Sequence, residues 1–339
     1  MRLFARITGI AVVISAAAVC VGQQPNVVHA QLSSKSASKG LAAEVDAVKS
    51  GGVAWLGWEI ATTPGFRSGG DGGPAYLEGD HTSYEQRQEQ KDLGRAVVLL
   101  RVDGTGVEKL RVENPERVLD GGGTRFVWLT GVAPEESVRF LAGLAQSNNT
   151  KRVRDSAVFA VSVHAAPGAT AALVQLAGPS NDLWLREKAA FWLANQRGRD
   201  GFLAVQKMAR EDKDDALRDK LAFDLTLSHE PEAVPELIRM AHNDPAVKVR
   251  RQAQFWMAQK GGKAVTADLR EMAENDPEAS IRKSAVFAIS QLPKEQATGQ
   301  LIQLAQTGKD PGVRKQAVFW LGQSQDPKAL DYLTGLLQK

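Results

Sequence analysis

The sequence VRKQAVFWLGQSQDPKAL, residues 313–330, decides the fold, because its opening pattern recurs through the C-terminal two-thirds of the chain. The copy before it is IRKSAVFAISQLPKEQA, residues 281–297. Each copy starts with an aliphatic residue and an Arg, and a Phe follows five positions later. Successive copies lie 32 residues apart, which predicts a repeat protein with one structural unit per copy. The six Arg are Arg154, Arg186, Arg218, Arg250, Arg282 and Arg314, and the six Phe are Phe159, Phe191, Phe223, Phe255, Phe287 and Phe319.

A second apolar pattern runs in the same register and marks another helix. In the copy at Leu301, a second Leu and then an Ala follow at positions i+3 and i+4, which is one face of an amphipathic helix. We call this helix A, and we call the helix that carries the Arg and the Phe helix B. Asp-Pro pairs between A and B, at 244–245, 276–277 and 310–311, predict N-caps followed by a proline in the first turn. The chain therefore contains six A–B hairpins and a last A helix, over about 329–337, that caps the stack.

These strings resemble HEAT repeats of the short bacterial type, also called phycobilisome-lyase-like HEAT repeats. The resemblance covers residues 134–339. It implies a mainly α protein in which a right-handed α-solenoid of about six and a half hairpins occupies 133–339, with the B helices on the concave side. Repeats of this type occur in lyases that attach bilins, in scaffolds and in exported bacterial proteins, so the fold selects no activity. The expected partner is another protein or a peptide bound on the concave face.

Two interpretations of the Phe column stay open. Each Phe lies about 240° around helix B from the aliphatic that precedes the Arg, well away from the apolar stripe. The column is either a ladder packed between successive B helices or an aromatic strip along the inner groove. Identical residues favour the packing interpretation. For the Arg column we expect a structural role, because acidic residues stand four positions earlier at Asp182, Asp214, Glu278 and Asp310.

The position after each Phe is less uniform, and it supplies the candidate partner-binding residues. Trp alternates there with smaller side chains, either because large and small residues interlock between layers or because Trp anchors a partner. Asp224 breaks the alternation and is the most site-like residue of the solenoid. We expect it to be exposed at a widened groove or paired with Lys220. The candidates are Trp192, Asp224, Trp256 and Trp320.

Residues 1–30 have the pattern of a signal peptide. Arg2 and Arg6 precede an apolar stretch over 7–22, and Val28-His29-Ala30 ends in a small residue, so we expect cleavage after Ala30. The alternatives are an uncleaved anchor and lipidation of Cys20, the only cysteine. We therefore expect a periplasmic or secreted protein with no disulfide and no membrane span after cleavage.

The region between the signal and the repeats reads as a small antiparallel β segment over 51–132. A linker and a short helix at Leu41–Lys49 fill residues 31–50 before it. Strands are predicted at 53–61, 96–102, 107–114 and 125–130, and a Gly-rich loop covers 62–94. The region's Trp residues are expected to form the core of the sheet: Trp55, Trp58 and Trp128.

Composition and motifs argue against the common chemistries. Removing residues 1–30 leaves 40 basic side chains (42 minus Arg2 and Arg6) against 39 acidic ones, so no charge excess favours nucleic acid. No two histidines stand at a metal-ligand spacing, and the sequence has no GxSxG motif, so we expect no cofactor and no enzyme activity. The favoured function is an exported interaction scaffold or regulator. The alternatives are an accessory or inhibitory subunit of an exported enzyme and a bilin-lyase-like activity, against which the signal peptide argues.

Overall fold

The computed structural model describes residues 24–67, 73–79 and 92–338, and the strands lie before the stacked helices. Four of the strands coincide with those predicted from the sequence, and so does the first helix. Four short or polar strands were not predicted. In chain order the elements are β1 (Val27–Val28), β2 (Gln31–Ser36), α1 (Leu41–Lys49), β3 (Ala54–Ala61), β4 (Ala75–Tyr76), β5 (Arg95–Val102), β6 (Val107–Glu113), β7 (Leu119–Asp120) and β8 (Arg125–Thr130).

The main sheet has five strands in the order β2-β8-β3-β5-β6, and it is mixed. Strands β3, β5 and β6 pair antiparallel, as expected, but β8 pairs parallel with both β2 and β3. The prediction of an antiparallel segment was therefore wrong in half of the sheet. The physical reason is α1, because parallel strands need a crossover connection and this helix supplies it between β2 and β3. Strands β1, β7 and β4 form a second, three-stranded sheet.

The predicted linker at 31–50 was also wrong at its start. Residues Gln31–Ser36 form β2, which pairs along its whole length with β8. Strand β1 lies before the expected cleavage point, and Ala30 packs against the cluster of buried apolar residues on that side of the sheet. A cut after Ala30 would remove β1 from its sheet. Residues 1–23, which hold the rest of the predicted signal peptide, lie outside the described residues, as do parts of the predicted Gly-rich loop.

Thirteen helices of the described chain form the repeats, and they alternate as predicted between seven A helices and six B helices. Each A–B pair is one hairpin, numbered one to six, and the thirteenth helix caps the last hairpin. A short 3-10 helix, Gly262–Val265, precedes the A helix of hairpin five. The A helices are α2 (Pro134–Gln146), α4 (Gly168–Leu176), α6 (Gly198–Glu211), α8 (Ala233–Asn243), α10 (Thr266–Asn275), α12 (Lys294–Thr307) and α14 (Pro327–Leu337). The B helices are α3 (Lys151–Val163), α5 (Leu183–Gln196), α7 (Asp215–Leu227), α9 (Val247–Gly261), α11 (Ala279–Ser290) and α13 (Pro311–Gln323).

The Asp-Pro pairs begin helix B as predicted in one case of three. Asp310 caps α13, and its side chain accepts a hydrogen bond from the Gly312 N–H. The other two helices start only three residues after the Asp, although Asp244 and Asp276 also accept from the N–H two residues on, in turns that precede α9 and α11. In both cases the proline stands before the first turn of the helix.

One apolar core runs from the helix-facing side of the sheet through all six hairpins. It contains the aliphatic residues of both helix patterns, whereas a smaller core on the opposite side of the sheet contains Trp55 and Trp128. Trp58 faces the helices, and its indole N–H donates to the Ser137 hydroxyl on α2 at 2.9 Å. All three Trp are almost completely buried, so their predicted core role is confirmed. No helix of the described residues is both long and apolar enough to cross a bilayer.

Candidate partner-binding surface

The Phe and Trp of successive B helices form one continuous row of rings, which we call the aromatic ladder. Neighbouring ring centroids lie 4.8–6.5 Å apart, within the range of favourable aromatic pairs. Phe66, from the loop after β3, extends the row at its N-terminal end. In order of contact the ladder is Phe66, Phe159, Trp192, Phe191, Phe223, Trp256, Phe255, Phe287, Trp320 and Phe319.

From one helix B to the next, the ladder has two kinds of step, and they alternate. Phe191 stacks on Phe223, and Phe255 stacks on Phe287 with only 6° between the ring planes. In the other steps a Trp stands between two Phe: it meets the Phe of its own helix edge-on and the Phe of the preceding helix at a tilt. The alternation of Trp with smaller residues therefore serves packing between neighbouring B helices.

The ladder is also accessible to solvent, so both interpretations of the Phe column describe part of the geometry. Five of the six Phe are half-buried, and Phe319 keeps 51% of its surface exposed. Their rings lie on the side of helix B opposite to the fully buried stripe that faces the A helices, as the angle along the helix requires. The indole N–H groups of Trp256 and Trp320 are buried and have no hydrogen-bond partner among the described residues.

Asp224 lies on α7 at the ladder position that Trp fills on α5 and α9, and it differs from both expectations. It is 3% exposed, so the expectation of an exposed carboxylate was wrong. It makes no ion pair with Lys220 in the described chain, and its Oδ2 atom has no hydrogen-bond partner there. Burial raises the pKa of Asp224 to about 8, and the negative charge of Glu187 adds to this effect. The side chain is therefore protonated and uncharged at neutral pH.

The Arg column connects the hairpins, and it acts across the repeat boundary. Each of the six Arg donates to a backbone carbonyl at or just beyond the end of helix A in its own hairpin, at 2.7–3.2 Å. The carboxylate partner was expected in the same hairpin, four positions earlier, but it comes from the following one. The pairs are Arg154–Asp182, Arg186–Asp212, Arg218–Asp244 and Arg282–Asp310.

The carboxylate comes from the following hairpin because the same Asp forms the helix cap or the turn that precedes the next helix B. Asp182 accepts from the Leu185 N–H at 3.0 Å and also from Arg154 at 2.5 Å. The hydrogen bond from Arg154 lowers the pKa of Asp182, and the bond from Arg282 lowers the pKa of Asp310 in the same way. One carboxylate thus holds a helix start and the preceding repeat together.

A cavity at the junction of the sheet and the first hairpin was not predicted from the sequence. It measures about 500 Å³ and is lined in part by Trp58, Ser137 and His164. His164 is buried, and burial lowers its pKa to about 4, so the ring is neutral. Its Nδ1 atom accepts from the Ala166 N–H at 3.2 Å, and its Nε2 atom has no partner in the described chain. No group of His, Cys, Asp and Glu in the described residues could hold a metal ion.

We expect the ladder to contribute to the stability of the folded protein as well as to form part of the candidate partner-binding surface. Replacing Phe255 by Ala removes one stacked and one edge-on ring contact, at a cost of about 2 kcal/mol, because the ring is only partly covered. The matched control is Phe319→Ala at the exposed end of the ladder, expected to change stability by less than about 1 kcal/mol. Urea unfolding of both variants checks this, and equal losses would contradict it.

Residues 266–339 match the family of HEAT repeats. No curated protein matches the chain. Among solved structures, YibA from Escherichia coli is similar at 19% identity, with 61% of this chain and 79% of that chain covered and a TM-score of 0.36. The complex of CpcE and CpcF of phycocyanin lyase from Nostoc is similar at 21% identity, with 45% and 98% covered and a TM-score of 0.34. Human deoxyhypusine hydroxylase in complex with glycerol is similar at 18% identity, with 61% and 80% covered and a TM-score of 0.33.

The family match and the regular alternation of A and B helices together define the helical part of this chain as a HEAT-like repeat domain. The small mixed sheet stands before it, and the aromatic ladder crosses all six B helices.

Proposed function

We propose that this chain is an exported, non-enzymatic interaction protein that binds another protein along the aromatic ladder. The observation that carries the proposal is a row of ten rings, nine of which are partly accessible to solvent. Aromatic side chains are enriched at the centres of protein interfaces, where they bury large areas at little entropic cost. Packing between helices accounts for the contacts of the rings with each other. It does not account for a Phe on the outward side of every helix B, where a smaller polar residue would leave the apolar stripe intact.

The partner-binding role of Trp192, Trp256 and Trp320 follows from their place in the ladder. They fill the gaps between Phe of neighbouring helices and so make the row of rings continuous. Asp224 enters this surface as an uncharged group, since its carboxyl is buried and protonated. We therefore assign it no ionic contact with a partner.

Capture of the partner tests the proposal. The mature chain is immobilised, exposed to an extract of its own organism, and the bound proteins are identified by mass spectrometry. We expect at least one protein to bind the wild type and to be lost with Phe319→Ala, whose fold is retained. The matched control is Leu203→Ala on helix A, where the side chain is 44% exposed and lies off the ladder. A partner lost equally in both variants, or in neither, would contradict binding at the ladder.

Export is part of the proposal and has its own test. Because β1 belongs to the fold, we place the cleavage point before residue 24, after Gly22, where small residues stand at the first and third positions before the cut. N-terminal sequencing of the exported protein should then start at Gln23. A start at Cys20 would indicate a lipoprotein, and retained Met1 would indicate an uncleaved anchor.

A further inference from the structure

The B helices differ in charge between the two halves of the stack. Helices α3, α5 and α7 all contain acidic residues, whereas α9, α11 and α13 contain none. The contrast is sharpest at the position after each repeat Arg, which lies one helical turn before the Phe and therefore beside the ladder. That position is acidic in hairpins one to three and basic in hairpins four to six, reading Asp155, Glu187, Asp219, Arg251, Lys283 and Lys315.

The three basic residues of this column are accessible and unneutralised. Arg251, Lys283 and Lys315 are all exposed, and none of them makes a hydrogen bond or an ion pair with another described residue. This sets them apart from Arg250, Arg282 and Arg314, which are held by loop carbonyls. In the other half of the stack, Asp155 is paired with Lys188 at 3.1 Å. The C-terminal half of the surface is therefore a row of free cations next to half-buried rings.

The spacing of this row fits an extended polypeptide. Packed helices lie about 8–10 Å apart, so neighbouring cations of the column are separated by about that step. An extended segment of polyproline II type rises about 3.1 Å per residue, so three residues span one hairpin. A carboxylate at every third residue would meet one cation per hairpin, while the residues between would lie on the rings. Amide side chains border the same face and suit a peptide backbone: Gln252, Gln259, Gln291, Gln316 and Gln323.

We propose that hairpins four to six bind an extended, acidic protein segment, with one carboxylate per hairpin on Arg251, Lys283 and Lys315 and its intervening residues on Phe255, Phe287 and Phe319. This inference rests on the proposed function, since it specifies the partner of the same surface. The same column is acidic in hairpins one to three and offers no cation to these carboxylates, so the segment is confined to the C-terminal half.

The test uses defined peptides and the mature chain. A fluorescein-labelled peptide of four Glu-Pro-Tyr units is titrated with protein, and binding is followed by fluorescence polarisation, with the Lys-Pro-Tyr and Gln-Pro-Tyr peptides as comparisons. We expect the acidic peptide to bind at least about tenfold more tightly than either comparison, and added salt to weaken it. The triple variant Arg251→Glu, Lys283→Glu, Lys315→Glu should lose this binding. The control triple variant Lys207→Glu, Lys263→Glu, Lys309→Glu changes the net charge by the same amount at positions away from this face. It should retain binding of the acidic peptide.

Three results would overturn the inference. The acidic peptide could bind no better than the basic one, or both triple variants could lose binding equally. Sedimentation could also show that the chain dimerises and that the first triple variant abolishes the dimer, in which case a second copy occupies the surface. The proposed function is judged separately: if the captured partner is lost with Phe319→Ala but retained by the first triple variant, ladder binding stands and the acidic segment is wrong.

Discussion

Replacing Asp244 by Asn should destabilise the protein by about 4 kcal/mol. Asp244 is 2% exposed and accepts two hydrogen bonds from Arg218, to Oδ2 at 2.8 Å and to Oδ1 at 3.0 Å. Arg218 is itself buried. The Asn variant is similar in shape and can still accept from the Ala246 N–H, but it leaves the buried guanidinium without its ion-pair partner.

Asp182→Asn is the matched control for this prediction. Asp182 makes the same two kinds of contact, to a helix start and to the Arg of the preceding hairpin, but 52% of its side chain is exposed. Water can therefore solvate Arg154 when the charge is removed, and the cost should stay within about 1 kcal/mol. Denaturant unfolding measures both values. Equal losses would show that burial of the ion pair does not determine its contribution.

The second large effect concerns Asp224, where we expect Asp224→Ala to stabilise the protein at alkaline pH. The carboxyl has a folded-state pKa of about 8, whereas the unfolded value is near 3.8. Between these values the folded state holds a proton that the unfolded state has released, so wild-type stability falls as pH rises through this window and levels off above it. A shift of this size corresponds to a total loss of about 6 kcal/mol, of which about 4 kcal/mol falls between pH 5 and pH 9. Below pH 4 both states are protonated and the loss is absent.

Alanine suits this test because it already stands at the same column position in two other hairpins, at Ala160 and Ala288. The variant should therefore unfold with nearly the same free energy at pH 5 and at pH 9, while the wild type weakens. Melting curves across this pH range measure the difference. If wild type and variant lose stability in parallel as pH rises, Asp224 is not the group responsible.

The repeats could be predicted from the sequence because their register is local and is repeated without slippage. Val313 and Phe319, for example, are placed on opposite sides of one helix by counting along it. The partner of each Arg could not be found this way. Asp182 stands four residues before Arg186 but binds Arg154, since capping its own helix points its carboxylate toward the preceding hairpin.

The sequence predicted which residues form the candidate surface, but not how far their side chains are exposed to solvent. The ring column was evident, yet whether it was covered depended on how closely the B helices pack, which no single repeat encodes. The unfavourable burial of Asp224 was equally invisible, because its sequence neighbours Phe223 and Leu225 are a Phe and a large apolar residue, as in every other repeat. Phe66 joins the ladder from a loop far from the repeats, and nothing periodic marks it.

The sheet region was harder to predict for a different reason. Strand β2, with the sequence QLSSKS, is an edge strand whose side chains mostly face solvent, so its composition is that of a linker. Residues 31–36 form a strand because they pair with β8, and nothing in their own sequence indicates this pairing. The parallel direction of that pairing followed only from the crossover through α1.

That pairing also sets an order of events during synthesis. Residue Gln31 meets Arg125, and Ser36 meets Thr130, so the sheet cannot close until about a hundred residues beyond its first strand are available. Closing a loop of this length has an entropic cost before any contact compensates for it, which slows folding. The hairpins that follow have only short-range contacts to make and can form as soon as they emerge. We therefore expect the slowest folding phase to belong to the N-terminal sheet, even though it is the first part of the chain to appear.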